Sequence, residues 1–104
     1  MWQKQYSSSN DSADATDPQL DELRELIDAT DQALLDVLTQ RAQLVDQVAE
    51  LKRAKGLPIV MPARERAIIE SVRNRAEAAG LSADMVEDIF RCVLAESHRR
   101  MRGD

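Results

Sequence analysis

Between Leu20 and Lys55 the chain runs 36 residues without a glycine or a proline. Apolar residues recur along it at Leu20, Leu23, Ile27, Leu34, Val37, Leu44, Val48 and Leu51. That is the three-and-four spacing of an amphipathic helix. At about 1.5 Å per residue such a helix is roughly 50 Å long. The remaining sequence predicts only shorter helices, too little to cover it. A stripe of that length needs a partner, most simply a second copy of the chain. Thr30 and Arg41 interrupt the stripe where the spacing calls for a hydrophobe, and an arginine drawn into a seam requires an anion.

The 104 residues suffice for one domain, and 43% apolar with 32% charged residues describes a globular chain. Of the three aromatics, Trp2, Tyr6 and Phe90, two lie in the N-terminal stretch, so the core is aliphatic. No alternating run argues for strands, and the fold class is all-α. A net charge of −5 disfavours nonspecific nucleic-acid binding. The charge is uneven: Asp21, Glu22, Glu25, Asp28, Asp31 and Asp36 face Arg24 alone in residues 18–40. Arg41, Lys52, Arg53, Lys55, Arg64 and Arg66 dominate residues 41–66. Two such helices laid antiparallel bring acidic halves to basic halves. A single cysteine, Cys92, excludes an internal disulfide, and with His98 as the one histidine no metal site is expected. The first residues lack the apolar run of a signal peptide, so the expected compartment is the cytoplasm.

Residues 1–16, rich in Ser, Asp, Asn and Ala, read as a disordered tail, and residues 17–104 as the helical domain. Thr16 and Asp17 are both candidate caps for the first helix, with Pro18 in its first turn. Lys52, Arg53 and Lys55 followed by Gly56 and Pro58 mark its end. A connector, Leu57 to Pro62, leads to a second helix over about Ala63 to Ala79, stopped by Gly80. Ser82 caps a third, with Met85, Val86, Ile89, Phe90, Val93 and Leu94 facing inward and Ser97 and Met101 extending that stripe.

Arg41 has two readings. It either snorkels over apolar surface or points into a polar pocket where its fork grips a carboxylate. Lys52, eleven residues on, returns to within roughly 20° of Arg41 on the helix surface, about 16 Å further along. The two cations can bracket a small dianion, or Lys52 can simply favour the helix C-terminus. Arg24 lies about 25 Å from Arg41 along the axis. It joins the same site only from a second chain, and otherwise it is a surface arginine beside Asp28. Arg64 and Glu65 open the second helix, either as a solvated start or as a donor and an acceptor at a pocket mouth. Ser97 on an apolar face bonds its own backbone or a ligand. His98, flanked by Arg99 and Arg100, is expected at the surface, and Cys92 buried or half-buried. With no phosphate loop, nucleophilic triad or metal cluster, an enzyme made of these parts works by positioning and electrostatics.

Leu20-Asp-Glu-Leu-Arg-Glu-Leu-Ile-Asp, Leu34-Leu to Arg41, Val48-Ala-Glu-Leu-Lys52, Pro58 with Arg64-Glu65-Arg66, and Glu96-Ser97 together resemble the all-helical chorismate mutases over about residues 18–101. The connector and the run from Ala78 to Ser97 are most similar to the mutase domain that some bacteria fuse to prephenate dehydrogenase. The resemblance implies three helices per chain, one long and two shorter, in an intertwined antiparallel homodimer with two shared sites. It implies a Claisen rearrangement of chorismate to prephenate, toward phenylalanine and tyrosine, with no cofactor, metal, nucleic acid or membrane. By position, Arg24 comes from one protomer, and Arg41, Lys52, Arg64, Glu65 and Ser97 from the other. Arginines hold the two carboxylates, Lys52 donates to the ether oxygen, Glu65 accepts from the ring hydroxyl, and Ser97 contacts a carboxylate.

Two positions of the implied site depart from the family pattern. Met101 stands where many relatives carry a glutamine that donates to the ether oxygen, and Met61 where many carry an aspartate. Lys52 then acts alone, or a protonated carboxyl, Arg100 or Arg102 substitutes. The chain ends where a fused dehydrogenase would begin, which fits either a stand-alone enzyme or a module. Two other readings share the pattern: an isochorismate-pyruvate lyase with a similar cationic pocket, and a noncatalytic helical dimer. The lyase reading is disfavoured by a carboxylate at Glu65, and the dimer reading leaves Arg41 without a purpose.

Overall fold

A computed structural model describes residues 17–103. Three helices follow one another, α1 (Pro18–Lys55), α2 (Pro62–Ala78) and α3 (Ala83–Arg102), and no strand occurs among the described residues. The expected tail, 1–16, lies outside the described residues, as does Thr16. Asp17 caps α1: its Oδ1 accepts from the backbone N–H of Gln19 at 2.9 Å and of Leu20 at 3.4 Å.

The helix ends follow from two glycines. Gly56 takes φ +65°, and the N–H of Leu57 returns to the carbonyl of Lys52 at 2.9 Å. Gly80 takes φ +78°, and Leu81 N–H bonds the Ala76 carbonyl at 2.8 Å. Both are six-to-one closures that satisfy carbonyls the last turn would leave open. α2 begins one residue earlier than its sequence suggests, because Pro62 suits a first-turn position whose N–H is not needed. Ser82 caps α3, accepting from Met85 N–H at 3.1 Å.

The chain divides into two units, one ending at Leu38 and the other beginning at Thr39. Among the described residues the first holds Asp17 and the N-terminal turns of α1, as far as Leu38. Its apolar residues Leu23, Ile27, Leu34 and Val37 are all exposed, Leu34 by 58%. Thr30, which interrupts this stripe, is satisfied locally by donating to the Leu26 carbonyl at 2.8 Å.

In the second unit α2 packs along α3. The buried residues are Val45 and Ala49 of α1, Ile69 and Ala76 of α2, and Leu94 and Ser97 of α3. Leu44, Val48 and Leu51 are exposed on this same stretch of α1. On this stretch α1 therefore turns Val45 and Ala49 into the second unit and leaves Leu44 and Leu51 outward, with Val48 partly exposed between them. Arg73 of α2 clamps the start of α3 through Asp84 (2.9 Å) and Glu87 (2.8 Å), and Arg91 reaches Glu87 at 2.6 Å.

Three expectations for α3 need correction. Met85 and Ile89 are exposed rather than inward-facing. They sit one position, about 100°, to the side of Val86 and Phe90, beyond what α2 covers. Cys92 is exposed, not buried, because it shares the outer face with Asp88, Ala95 and Arg99. Among the described residues no helix is long and apolar enough to cross a membrane.

The Glu87 cluster predicts a pH effect. Hydrogen bonds from Arg91 and then Arg73 hold its carboxyl below the usual carboxylate range. A depressed carboxylate stabilises the fold above its unfolded-state value, and that contribution is lost as pH falls through the folded value. Glu87→Gln is expected to melt below the parent at pH 7 and to converge with it as pH falls below the depressed folded-state value. Circular-dichroism melts across that range check this; an offset constant with pH would refute it.

Candidate active site

Within the second unit, α1, the connector, α2 and α3 enclose a cavity of about 370 Å³, within the size range of small-molecule sites. Val45, Val48, Ile59, Ile68 and Leu94 supply apolar walls, and the polar side chains converge between them. Helical spacing puts Arg41, Val45, Val48 and Lys52 on one side of α1, since steps of three and four residues return to the same face. Leu94, Ser97, His98 and Met101 do the same on α3.

Arg41 is not a snorkelling side chain. Its Nη1 donates to Ser97 Oγ at 2.7 Å, and Ser97 Oγ donates in turn to the Val93 carbonyl at 2.9 Å. Ser97 is only 6% exposed, so this link fixes the guanidinium against α3. A guanidinium carries five N–H donors, and one is committed here. Lys52 Nζ donates to the Ile59 carbonyl at 2.8 Å and lies 3.8 Å from Met101 Sδ. Two of the three ammonium donors are thus directed by the protein, and the third is available to a ligand. Arg64 and Glu65, placed by the first turn of α2, complete the polar lining with Met61 beside them.

Of the eight residues expected at the site, seven line this one cavity: Arg41, Lys52, Met61, Arg64, Glu65, Ser97 and Met101. Arg24 does not; it belongs to the first unit. Arg100, considered as a replacement donor for Met101, is committed elsewhere. Its Nε and Nη2 grip Asp46 at 3.1 and 2.8 Å, which lowers the Asp46 carboxyl below its ordinary range. Arg102 does not line the cavity either.

His98 corrects the sequence expectation most directly. Its side chain is 22% exposed, lines the cavity, and pairs through Nε2 with Glu65 Oε2. The neighbouring arginines suggested a surface position, yet on a helix adjacent residues point about 100° apart. The available signal was its spacing, four after Leu94 and three before Met101. A larger groove of about 540 Å³ on the other side of Glu65 is lined by Arg66, Arg73 and Arg91 with Glu70.

The sequence pattern of the family described as chorismate mutase type II matches residues 23–102. This chain belongs to that family. A chorismate mutase of Methanocaldococcus jannaschii is 30% identical over 83 residues, covering 80% of this chain and 83% of that protein. A T-protein of Enterobacter agglomerans is 46% identical over 80 residues, 77% of this chain. A 4-amino-4-deoxychorismate mutase of Streptomyces pristinaespiralis is 31% identical over 87 residues, 84% of this chain and 67% of that protein. The chain spans about a fifth (21%) of the length of the T-protein. The matched segment contains every residue that lines the cavity.

The Arg41–Ser97 link yields a stability prediction. Ser97→Ala removes the acceptor from a half-buried guanidinium and is expected to cost about 1 kcal/mol. Urea unfolding of parent and variant measures it; equal midpoints would mean that the contact carries no weight.

Proposed function

We propose that this chain is a chorismate mutase, catalysing the Claisen rearrangement of chorismate to prephenate, and that it works as an intertwined antiparallel homodimer. The observation that carries the reading is the convergence of Arg41, Lys52, Arg64, Glu65 and Ser97 on a single cavity in a chain of this family. The substrate is a dianion, and three cations around an apolar pocket suit it. The reaction breaks the ether C–O bond and forms a C–C bond within one molecule, so no external acid, base or nucleophile is consumed. The protein's tasks are to hold the compact reactive conformer and to stabilise charge at the departing ether oxygen.

In this reading Arg41 and Arg64 bind carboxylates, the third N–H of Lys52 meets the ether oxygen, and Glu65 accepts from the ring hydroxyl. Ser97 acts chiefly through Arg41, whose Nη1 it receives. Met101 offers only a thioether beside Lys52, so Lys52 is the sole donor to the ether oxygen. A preorganised donor of this kind is worth about 3 kcal/mol. The exposed stripe of α1, with Leu34, Val37, Leu44 and Leu51 outward, supports a second copy as its cover. In that pairing Arg24 reaches the partner's cavity. The cytoplasm is the compartment this reading assigns.

Two measurements test it. Arg41→Ala and Lys52→Ala are each expected to lose two to three decades of chorismate turnover, followed at the absorbance of the enol ether, while light scattering still reports dimers. Near-normal rates in either variant would overturn the assignment, and salicylate among the products would favour the lyase. Arg24→Ala and Lys52→Ala chains, each inactive alone, should regain about one quarter of parental activity when refolded together, because half of the random pairs carry one intact site. No recovery on mixing would place both residues in one chain's site.

A further inference from the structure

Glu65 needs a defined orientation if it is to accept one hydroxyl proton, and among the described residues the side chain bonded to its carboxylate is His98, through Oε2. The pair spans α2 and α3 and is partly shielded, with Glu65 27% and His98 22% exposed. The other charged groups lining the same cavity are Arg41 and Lys52 of α1 and Arg64 of α2. Each of them would draw an untethered carboxylate toward itself, away from the ring. Arg41 and Lys52 already have protein partners in Ser97 and Ile59, so His98 is the group that keeps Glu65 apart from them.

We propose that His98 is a positioning residue for Glu65: its Nε2–H holds Oε2 and leaves Oε1 as the single acceptor for the substrate's ring hydroxyl. This rests on the mutase reading above. The hydroxyl is not transformed in the rearrangement, so its contact is made equally in ground and transition states. Loss of such uniform binding raises KM and leaves kcat nearly unchanged. That signature separates positioning of Glu65 from damage to the Lys52 or Arg41 machinery, which lowers kcat.

His98 is the only histidine of the chain, so its ring nitrogens can be observed without ambiguity. Long-range ¹⁵N–¹H correlation spectra of the ¹⁵N-labelled dimer should show Nε2 protonated, and Glu65→Ala should shift both ring nitrogens. Ring signals identical in parent and Glu65→Ala would overturn the proposal, whatever the enzyme turns over. With chorismate, His98→Leu is expected to raise KM about tenfold, the scale of one hydrogen bond to a charged group. His98→Gln, whose amide N–H₂ can stand where Nε2–H stood, should keep KM near the parent's. In a Glu65→Ala background His98→Leu should change KM less than twofold. An equal loss in both backgrounds, or a loss in kcat instead, would show a structural role and sink the proposal. If the parent itself fails to convert chorismate, the mutase reading falls, while the nitrogen spectra still decide whether the pair forms.

Discussion

A guanidinium seated among apolar side chains is the constraint around which the second unit is arranged. Arg41 stands where the heptad calls for a hydrophobe, and it is tolerated because Ser97 accepts its Nη1 at 2.7 Å. That bond ties α1 to α3 and aligns the turns on either side. One and two turns up, Val45 and Ala49 settle into the core; three turns up, Lys52 meets the connector. Burying a charge is costly unless its donors are matched. Here the matching is partial, and in the proposed function a substrate carboxylate supplies the remainder. Stability and binding thus draw on the same side chain.

The division of labour among the helices follows from their lengths and faces. Within the second unit α1 buries only Val45 and Ala49, while Leu44 and Leu51 face outward. α2 and α3 are joined by the Arg73–Asp84–Glu87–Arg91 cluster at one end and by Glu65 with His98 at the other. The first cluster lies on exposed surface, where ion pairs contribute little to stability. The second faces the cavity.

Much of this was legible in the chain. The helix limits could be read because they depend on local chemistry: Asp17 as cap, Gly56 and Gly80 as terminators, Ser82 as cap. The convergence of Arg41, Lys52, Arg64, Glu65 and Ser97 could be read because their spacing resembles a known family, while periodicity alone left each of them with two meanings. What could not be read was side-chain partnership across helices. Neither the Arg41–Ser97 bond nor the Glu65–His98 pair is encoded at any fixed separation, since the partners stand 56 and 33 positions apart. His98 and Cys92 both depart from expectation. The neighbours of His98 point to the surface and the small thiol of Cys92 to the interior, whereas the helical phase of α3 puts His98 inside and Cys92 outside. Met85 and Ile89 show the converse, apolar residues at inward spacing that the short α2 does not reach.

The connector between α1 and α2 has one further consequence. Loops are ordinarily the segments in which chain length drifts most freely. This one acts as a ruler, because the carbonyl of Ile59 receives Lys52 Nζ and the next few residues launch the turn bearing Arg64 and Glu65. Adding or deleting a single residue between Gly56 and Pro62 would move the ammonium and the carboxylate relative to each other. Length polymorphism among natural variants should therefore collect at the Gly80 turn, which touches no part of the cavity, and be scarce in the proline-bounded spacer.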